Sequence, residues 1–293
     1  MGVILGLLTA LAWGSSDFLA RFATRRIGAL RSMLYMQSTG FLLLTIILPW
    51  IGGWGHLLDG SGWRPWAWGA VAGIVNGIST LSLYRSFEIG KMAVVAPISA
   101  SYPALTVILS VVSGERLTSA RAAGVALILA GVVLVARGEA SASDVASPDN
   151  PGRRPSRGIG WALVSAIGFG VLFWFLGERI VPAVGFAATV WLIRLTSSLL
   201  TVLVILALKQ TLALPQESST RGLLLGMGLL DTGAFVLNNR GMELEQVSIV
   251  SVLGSLYGAV TVLFAAIFLR ERLTRAQWCG IVAIFGGIAL ISR

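Results

Sequence analysis

Charge is scarce in this chain. Only 12% of its residues are Asp, Glu, Lys or Arg, where a soluble domain carries roughly 25%. Hydrophobic residues make up 56% and the mean hydropathy is +0.84, so the composition is that of an integral membrane protein. There is one cysteine, Cys279, set in an apolar run, and a lone cysteine excludes an internal disulfide and a thiolate metal site. There is also one histidine, His56, in a loop. A Ser/His, paired-Asp or metal constellation of the kind an intramembrane enzyme needs is therefore lacking, and neither a metal nor a cofactor is expected. No Gly-x-x-x-x-Gly-Lys-Ser/Thr run is present, which argues against a nucleotide-driven machine. The net charge of +9 would suggest nucleic acid in a soluble protein, but here the arginines fall between apolar runs, as topology signals do, and no nucleic-acid partner is expected.

What the chain does contain, it contains twice. The stretch from Arg85 to Arg137 matches the stretch from Arg240 to Arg293: Arg85, Glu88 and Tyr102 fall on Arg240, Glu243 and Tyr257 at one constant offset. After a single inserted residue, Glu115-Arg116-Leu117-Thr118 falls on Glu271-Arg272-Leu273-Thr274. Gly6 and Gly14 likewise align with Gly160 and Gly168, and Asn76 with Asp231. An internal repeat of this length constrains the architecture before any motif is considered.

With about 20 residues needed to cross the hydrocarbon, spans are expected near 3–23, 30–50, 66–86, 92–113, 119–137, 157–177, 185–207, 220–240, 246–269 and 274–292. The first, from Val3 to Phe22, is a span and not a cleaved signal peptide, since it lacks the short apolar core and small-residue cleavage site. The stretch GEASASDVASPDNPGRRP, from Gly138 to Pro155, is rich in Ser, Pro, Asp and Gly and reads as a linker. The expected organisation is a first five-helix repeat over 1–137, a polar linker over 138–156 and a second five-helix repeat over 157–293. Five is an odd number, so the copies enter the membrane from opposite sides. The fold class is an all-α integral membrane protein of ten transmembrane helices in two inverted repeats, the plan of secondary transporters.

Thr274 and Gln277 have capping-box spacing, and Thr118 stands where it can cap the following helix, so the Glu-Arg-Leu-Thr segments read as tight hairpins at the membrane surface. Gly69, Gly73 and Gly77, and again Gly222, Gly226 and Gly228, let helices approach closely. Pro97 and Pro103 interrupt the backbone ladder of the fourth span, and Gly258 takes the matching place after Tyr257 in the ninth. Interruptions at corresponding positions of two inverted halves point to a central site, and these three residues are candidates for gating.

A charge near the bilayer centre costs at least about 2.5–3.5 kcal/mol, so each needs a partner or a wet cavity. Asp17 and Arg21 stand one helical turn apart on the first span, acid first, the favourable order for a same-face pair. Arg194 and Asp231 lie near the middle of the seventh and eighth spans, where the first half has Gln37 and Asn76. Both pairs are open to a structural and a functional reading: ion pairs that fix helix packing, or cavity residues, some of which hold a substrate carrying both charges or include an Asp that titrates as a proton carrier. Candidate substrate-binding residues are Asp17, Trp13, Asn76, Thr80, Ser99, Tyr102, Arg194, Asp231, Asn238 and Tyr257. An apolar wall is expected from Trp13, Trp161, Phe173, Trp174, Tyr102 and Tyr257.

Ala12-Trp13-Gly14, the segment ending in Gly114-Glu115-Arg116-Leu117-Thr118, its second copy, and the Gly-rich fifth and tenth helices resemble the drug/metabolite transporter superfamily, in its ten-helix EamA-type branch. The resemblance spans nearly the whole chain apart from the linker. It implies a multi-pass protein of the plasma or inner membrane, monomeric or homodimeric, whose partners are the lipid bilayer and a small-molecule substrate. An exporter of amino acids or related metabolites is expected, with an uptake permease for a sugar as the rival and an intramembrane enzyme or a receptor behind it. On orientation two readings oppose each other. Roughly fifteen Arg and Lys flank the loops opposite the termini and roughly six lie on the side of the termini, which puts the termini outside. The resemblance favours termini in the cytosol. The charge count is preferred because Arg21, Arg25, Arg26 and Arg31 crowd the first hairpin.

Overall fold

The computed structural model describes the chain except for residues 52, 61, 115–117, 147–157, 245–249, 251–252, 272 and 292–293. Helices α1 (Gly2–Ile27), α2 (Ala29–Ile47), the short α3 (Gly55–Leu58), α4 (Arg64–Ile89), α5 (Met92–Ser99), α6 (Pro103–Val112) and α7 (Ser119–Ala146) form the first half. Helix α8 (Ile159–Phe175) continues through a π-turn at Leu176–Ile180 into α9 (Val181–Val184). Then come α10 (Phe186–Ala207), α11 (Ser218–Leu244), α12 (Tyr257–Phe264, extended by a π-turn at Ala265–Leu269) and α13 (Arg275–Ile291). No strand occurs among the described residues.

Among the described residues six segments are long and apolar enough to cross a membrane: Ala29–Ile47, Arg64–Ile89, Met92–Val112, Ile159–Val184, Phe186–Ala207 and Ser218–Leu244. Shorter apolar helices cover Ala122–Val135, Leu253–Leu269 and Arg275–Leu290. The exterior is apolar as well as the core. Leu11, Ile167 and Leu203 face outward, while Ser16, Gln37, Asn76, Arg194, Asn238 and Asn239 are buried. That arrangement suits a lipid exterior, where polar groups must find partners inside the bundle. The chain is a multi-pass membrane protein.

Helix α7 differs from expectation. It runs to Ala146, so Gly138–Ala146, where the composition predicts the start of the linker, is helical. The segment holds no proline and three alanines, good helix formers.

The packing is reciprocal. Helix α1 lies on α11 as α8 lies on α4, α2 crosses α10, α5 meets α12, and α7 pairs with α13. The last seam is glycine to glycine: a Cβ on Gly131 would stand 2.6 Å from the Gly280 carbonyl, and one on Gly287 would stand 2.6 Å from the Gly124 carbonyl. Backbones can approach that closely only without side chains.

The hairpins repeat as well. Gly28 and Gly185 each turn the chain with φ 84, a conformation that side chains resist. At the first turn Glu88 accepts from the Ala29 amide at 3.3 Å and pairs with Arg85 at 2.8 Å. At the second, Glu243 accepts from the Phe186 amide at 3.0 Å and pairs with Arg240 at 2.7 Å. One carboxylate thus caps the helix after the glycine in each half, which satisfies an orphan amide at a helix start.

Candidate functional site

The fourth span breaks between α5 and α6. Pro97 and Pro103 remove two amide donors, and the chain turns through short bonds, Ser101 N to Ile98 O at 3.2 Å and Ala104 N to Ser101 O at 3.1 Å. Before α12 the same pattern recurs without proline, Leu256 N to Leu253 O at 3.2 Å and Ala259 N to Leu256 O at 2.9 Å. The interruption falls at Leu256, just ahead of Gly258. The two breaks face each other: a Cβ on Gly258 would lie 2.6 Å from Ala100 Cβ. Tyr102 and Tyr257, equivalent in the two copies, leave these breaks and enter one cavity.

Helix α1 brings Trp13 and Asp17 to that cavity, α4 brings Thr80, Leu83 and Tyr84, α8 brings Phe169 and Phe173, and α11 brings Asp231 and Phe235. Trp13 meets Phe173, Phe235 and Tyr257 edge-on, with centroids 5.7, 5.5 and 6.1 Å away, and Phe173 lies 4.8 Å from Tyr102. The cavity is narrow, about 30 Å³. A water needs about 10–15 Å³ on this measure, so this conformation admits water and excludes an organic molecule.

Six expected residues therefore converge: Trp13, Asp17, Thr80, Tyr102, Asp231 and Tyr257. Four stand behind the wall. Arg194 is fully buried; its Nη1 donates to Gln37 Oε1 at 2.6 Å, its Nη2 donates to Asp231 Oδ2, and its guanidinium lies 5.3 Å from the Phe235 ring. Asn76 donates to Ser197 Oγ at 3.3 Å, Ser99 donates to the Ala162 carbonyl at 3.4 Å, and Asn238 Nδ2 approaches Met242 Sδ at 3.8 Å. Two of the expected aromatics turn away: Trp161 is 44% exposed and Trp174 donates to Ser113 Oγ at 3.0 Å. Their place is taken by Tyr84, Phe169 and Phe235, one helical turn from Thr80, Phe173 and Asp231.

The pair expected between Asp17 and Arg21 does not form. Arg21 Nη1 donates to the Phe87 carbonyl and to the Gly90 carbonyl at 2.7 Å, and its Nη2 faces Glu271 at 3.5 Å. Those carbonyls end α4 and the carboxylate needs a cation, so tertiary partners outcompete the acid on the same helix face. Glu271 also accepts from the Ala93 amide at 2.8 Å and the Met92 amide at 3.3 Å. It thus caps α5 from the opposite half, a role beyond the surface hairpin expected of it. The Thr274 and Gln277 capping box forms, with bonds of 2.8 and 3.2 Å. Glu115, Arg116 and Leu117 lie outside the described residues.

Asp17 itself is 4% exposed, and among the described residues its Oδ2 accepts no hydrogen bond. No group of metal-ligating side chains occurs among the described residues.

One solved crystal structure superposes with a TM-score of 0.70 at 19% identity, over 99% of this chain and 97% of that one. An uncharacterised protein of Methanocaldococcus jannaschii is 28% identical over 134 residues, which cover 45% of this chain and 94% of that protein. The family model described as the EamA-like transporter family matches residues 1–137 and 156–293. With nearly its full length matched, this chain belongs to the EamA-like transporter family.

Proposed function

We propose that this protein is a secondary transporter of small organic metabolites, an exporter of amino acids or related compounds that works by alternating access. It is not an enzyme in this reading. The apolar helices form ten spans, five over 1–137 and five over 157–293 joined at 138–156, with the copies inverted in the membrane. The reciprocal packing of α1 on α11 and α8 on α4 supports that arrangement, as does the match of a relative about half as long to less than half of this chain. Trp13, Asp17, Thr80, Tyr102, Asp231 and Tyr257 contact substrate. Arg194, Asn76, Ser99 and Asn238 hold them in place. Pro97, Pro103 and Gly258 are the flexible points of two gates.

The observation that carries this reading is the meeting of two helix interruptions, hydrogen-bonded alike at equivalent positions, beside one largely aromatic cavity that holds two carboxylates. Two copies of one broken helix that face opposite sides can exchange conformations and open one cavity to each side in turn. The test is counterflow: purified protein in liposomes preloaded with a mixture of amino acids and other small metabolites, with exchange against isotope-labelled compounds read by mass spectrometry. Exchange of one compound class above protein-free liposomes is expected. Permeability indifferent to preloading would contradict a carrier.

A further inference from the structure

We infer that the substrate group recognised at this cavity is a single positive charge on an apolar body, an organic ammonium ion held by Asp17, and that this cation exchanges with a proton there. The inference rests on the transporter reading and narrows its substrate from amino acids and their relatives to those without a carboxylate.

The charges facing the cavity do not balance. Asp17 and Asp231 line it, and among the described residues no Arg, Lys or His does. Asp231 is already matched by Arg194, whose Nη1 is in turn held by Gln37. Among the described residues no cation pairs with Asp17. Arg21, on its own helix, is turned to Glu271 and to the carbonyls of Phe87 and Gly90. The other titratable groups around the cavity are Tyr84 from α4, Tyr102 from the α5–α6 break and Tyr257 from α12, and none supplies a positive charge. Among the described residues one acid is left over, nearly enclosed, with an oxygen that finds no hydrogen-bond partner there.

A lone carboxylate in an apolar enclosure must be neutralised by a proton or by a cation. The rest of the wall suits the second. Trp13, Tyr102, Phe169, Phe173, Phe235 and Tyr257 line the same cavity as the acid, and aromatic faces attract an ammonium group while accommodating hydrocarbon. A substrate carboxylate would meet Asp17 and Asp231 with no free cation, so a zwitterion is disfavoured. The exchange balances: the ammonium ion arrives protonated, the O–H bond of the Asp17 carboxyl breaks, and one proton leaves to water for each cation bound. Since the carboxylate holds either the proton or the cation, the two move in opposite directions. The narrow cavity widens at the helix breaks to admit the body of the substrate.

The probes are 2-phenylethylammonium, phenylalanine, which adds a carboxylate, and 2-phenylethanol, which lacks the charge. Binding to the purified full chain in detergent is read by calorimetry and thermal stabilisation, and proton release by a pH dye in weak buffer. The ammonium compound is expected to bind at least about tenfold more tightly than either analogue and to release about one proton per cation bound. Asp17→Asn, checked for folding by size exclusion, should lose the affinity by about tenfold or more together with the release. The ranking and the release need only the wild-type chain, so a misfolded variant does not spare the idea. Phenylalanine or phenylethanol binding as tightly, ammonium binding without proton release, no ammonium binding at millimolar concentration, or unchanged binding to folded Asp17→Asn would each overturn it. Counterflow separates the two readings. An ammonium ion that binds through Asp17 but is never carried leaves the cation site and removes the transporter. Carriage of a zwitterion without ammonium binding does the reverse.

Discussion

Gln37 and Arg194 occupy the same position in the two copies and are bonded to each other, Arg194 Nη1 donating to Gln37 Oε1 at 2.6 Å. Residues related by a repeat touch only where the axis relating the copies passes, here at the crossing of α2 and α10. Two arginines at that point would repel each other in a dry interior. The chain has one guanidinium and one amide instead, and it has put Asp231 where the first copy keeps Asn76. Room comes from Gly40, where a Cβ would lie 2.1 Å from Thr232 Oγ1 and 3.0 Å from Arg194 Nε.

From this follows a coupling. Arg194→Gln alone strands Asp231 and Asp231→Asn alone strands a fully buried guanidinium, each at a cost of about 3–5 kcal/mol. The double variant strands neither, so its loss of stability should fall short of the sum by at least about 1 kcal/mol. Thermal unfolding of the four proteins in one detergent measures this. Full additivity would mean that each charge is satisfied separately.

The twin caps predict twin effects. Glu88→Ala and Glu243→Ala each remove a carboxylate from the first amide of the next helix, a loss of about 1 kcal/mol. Stability measurements should show similar decreases for the two. A large decrease at one and none at the other would show that the hairpins are not equivalent in energy.

The seam between α7 and α13 is sensitive to one methyl group. Gly131→Ala and Gly287→Ala drive a Cβ to 2.6 Å from a backbone oxygen, and such overpacking costs about 1–3 kcal/mol. Gly286→Ala, where the nearest atom is 3.6 Å away, is the control and should be tolerated. Equal melting temperatures for all three would contradict the close approach.

Orientation is tested with a single thiol. Cys279 is exposed, so it is first replaced by serine, and Ser143→Cys is then treated with an impermeant thiol reagent in intact cells. The arginine distribution predicts protection until the cells are permeabilised. Labelling in intact cells would place the termini in the cytosol.

Much of this arrangement is legible in the sequence because the repeat marks it. Tyr102 and Tyr257 stand out as a matched pair, and Pro97 and Pro103 announce the first interruption. Other residues give no such signal. Tyr84, Phe169 and Phe235 are aromatics in an apolar background, where hydropathy gives no contrast. The spacing of Asp17 and Arg21 suggests a pair because a helical wheel contains no competitors. The carbonyls of Phe87 and Gly90 and the carboxylate of Glu271, far apart in the chain, are what take Arg21 away. The break at Leu256 is a third case: it contains no proline, and only its likeness to the Ser101 turn identifies it.

The central claim, one cavity opened alternately to each side by two broken helices, is tested most directly by accessibility of a cavity thiol. Thr80→Cys in a Cys279→Ser background is treated with a small impermeant thiol reagent in intact cells and in inverted vesicles. The account predicts labelling from both sides. Pro103→Ala restores a backbone donor at the α5–α6 break and should raise one labelling rate while lowering the other. Labelling from one side only, or rates that Pro103→Ala leaves unchanged, would contradict alternating access by these helices.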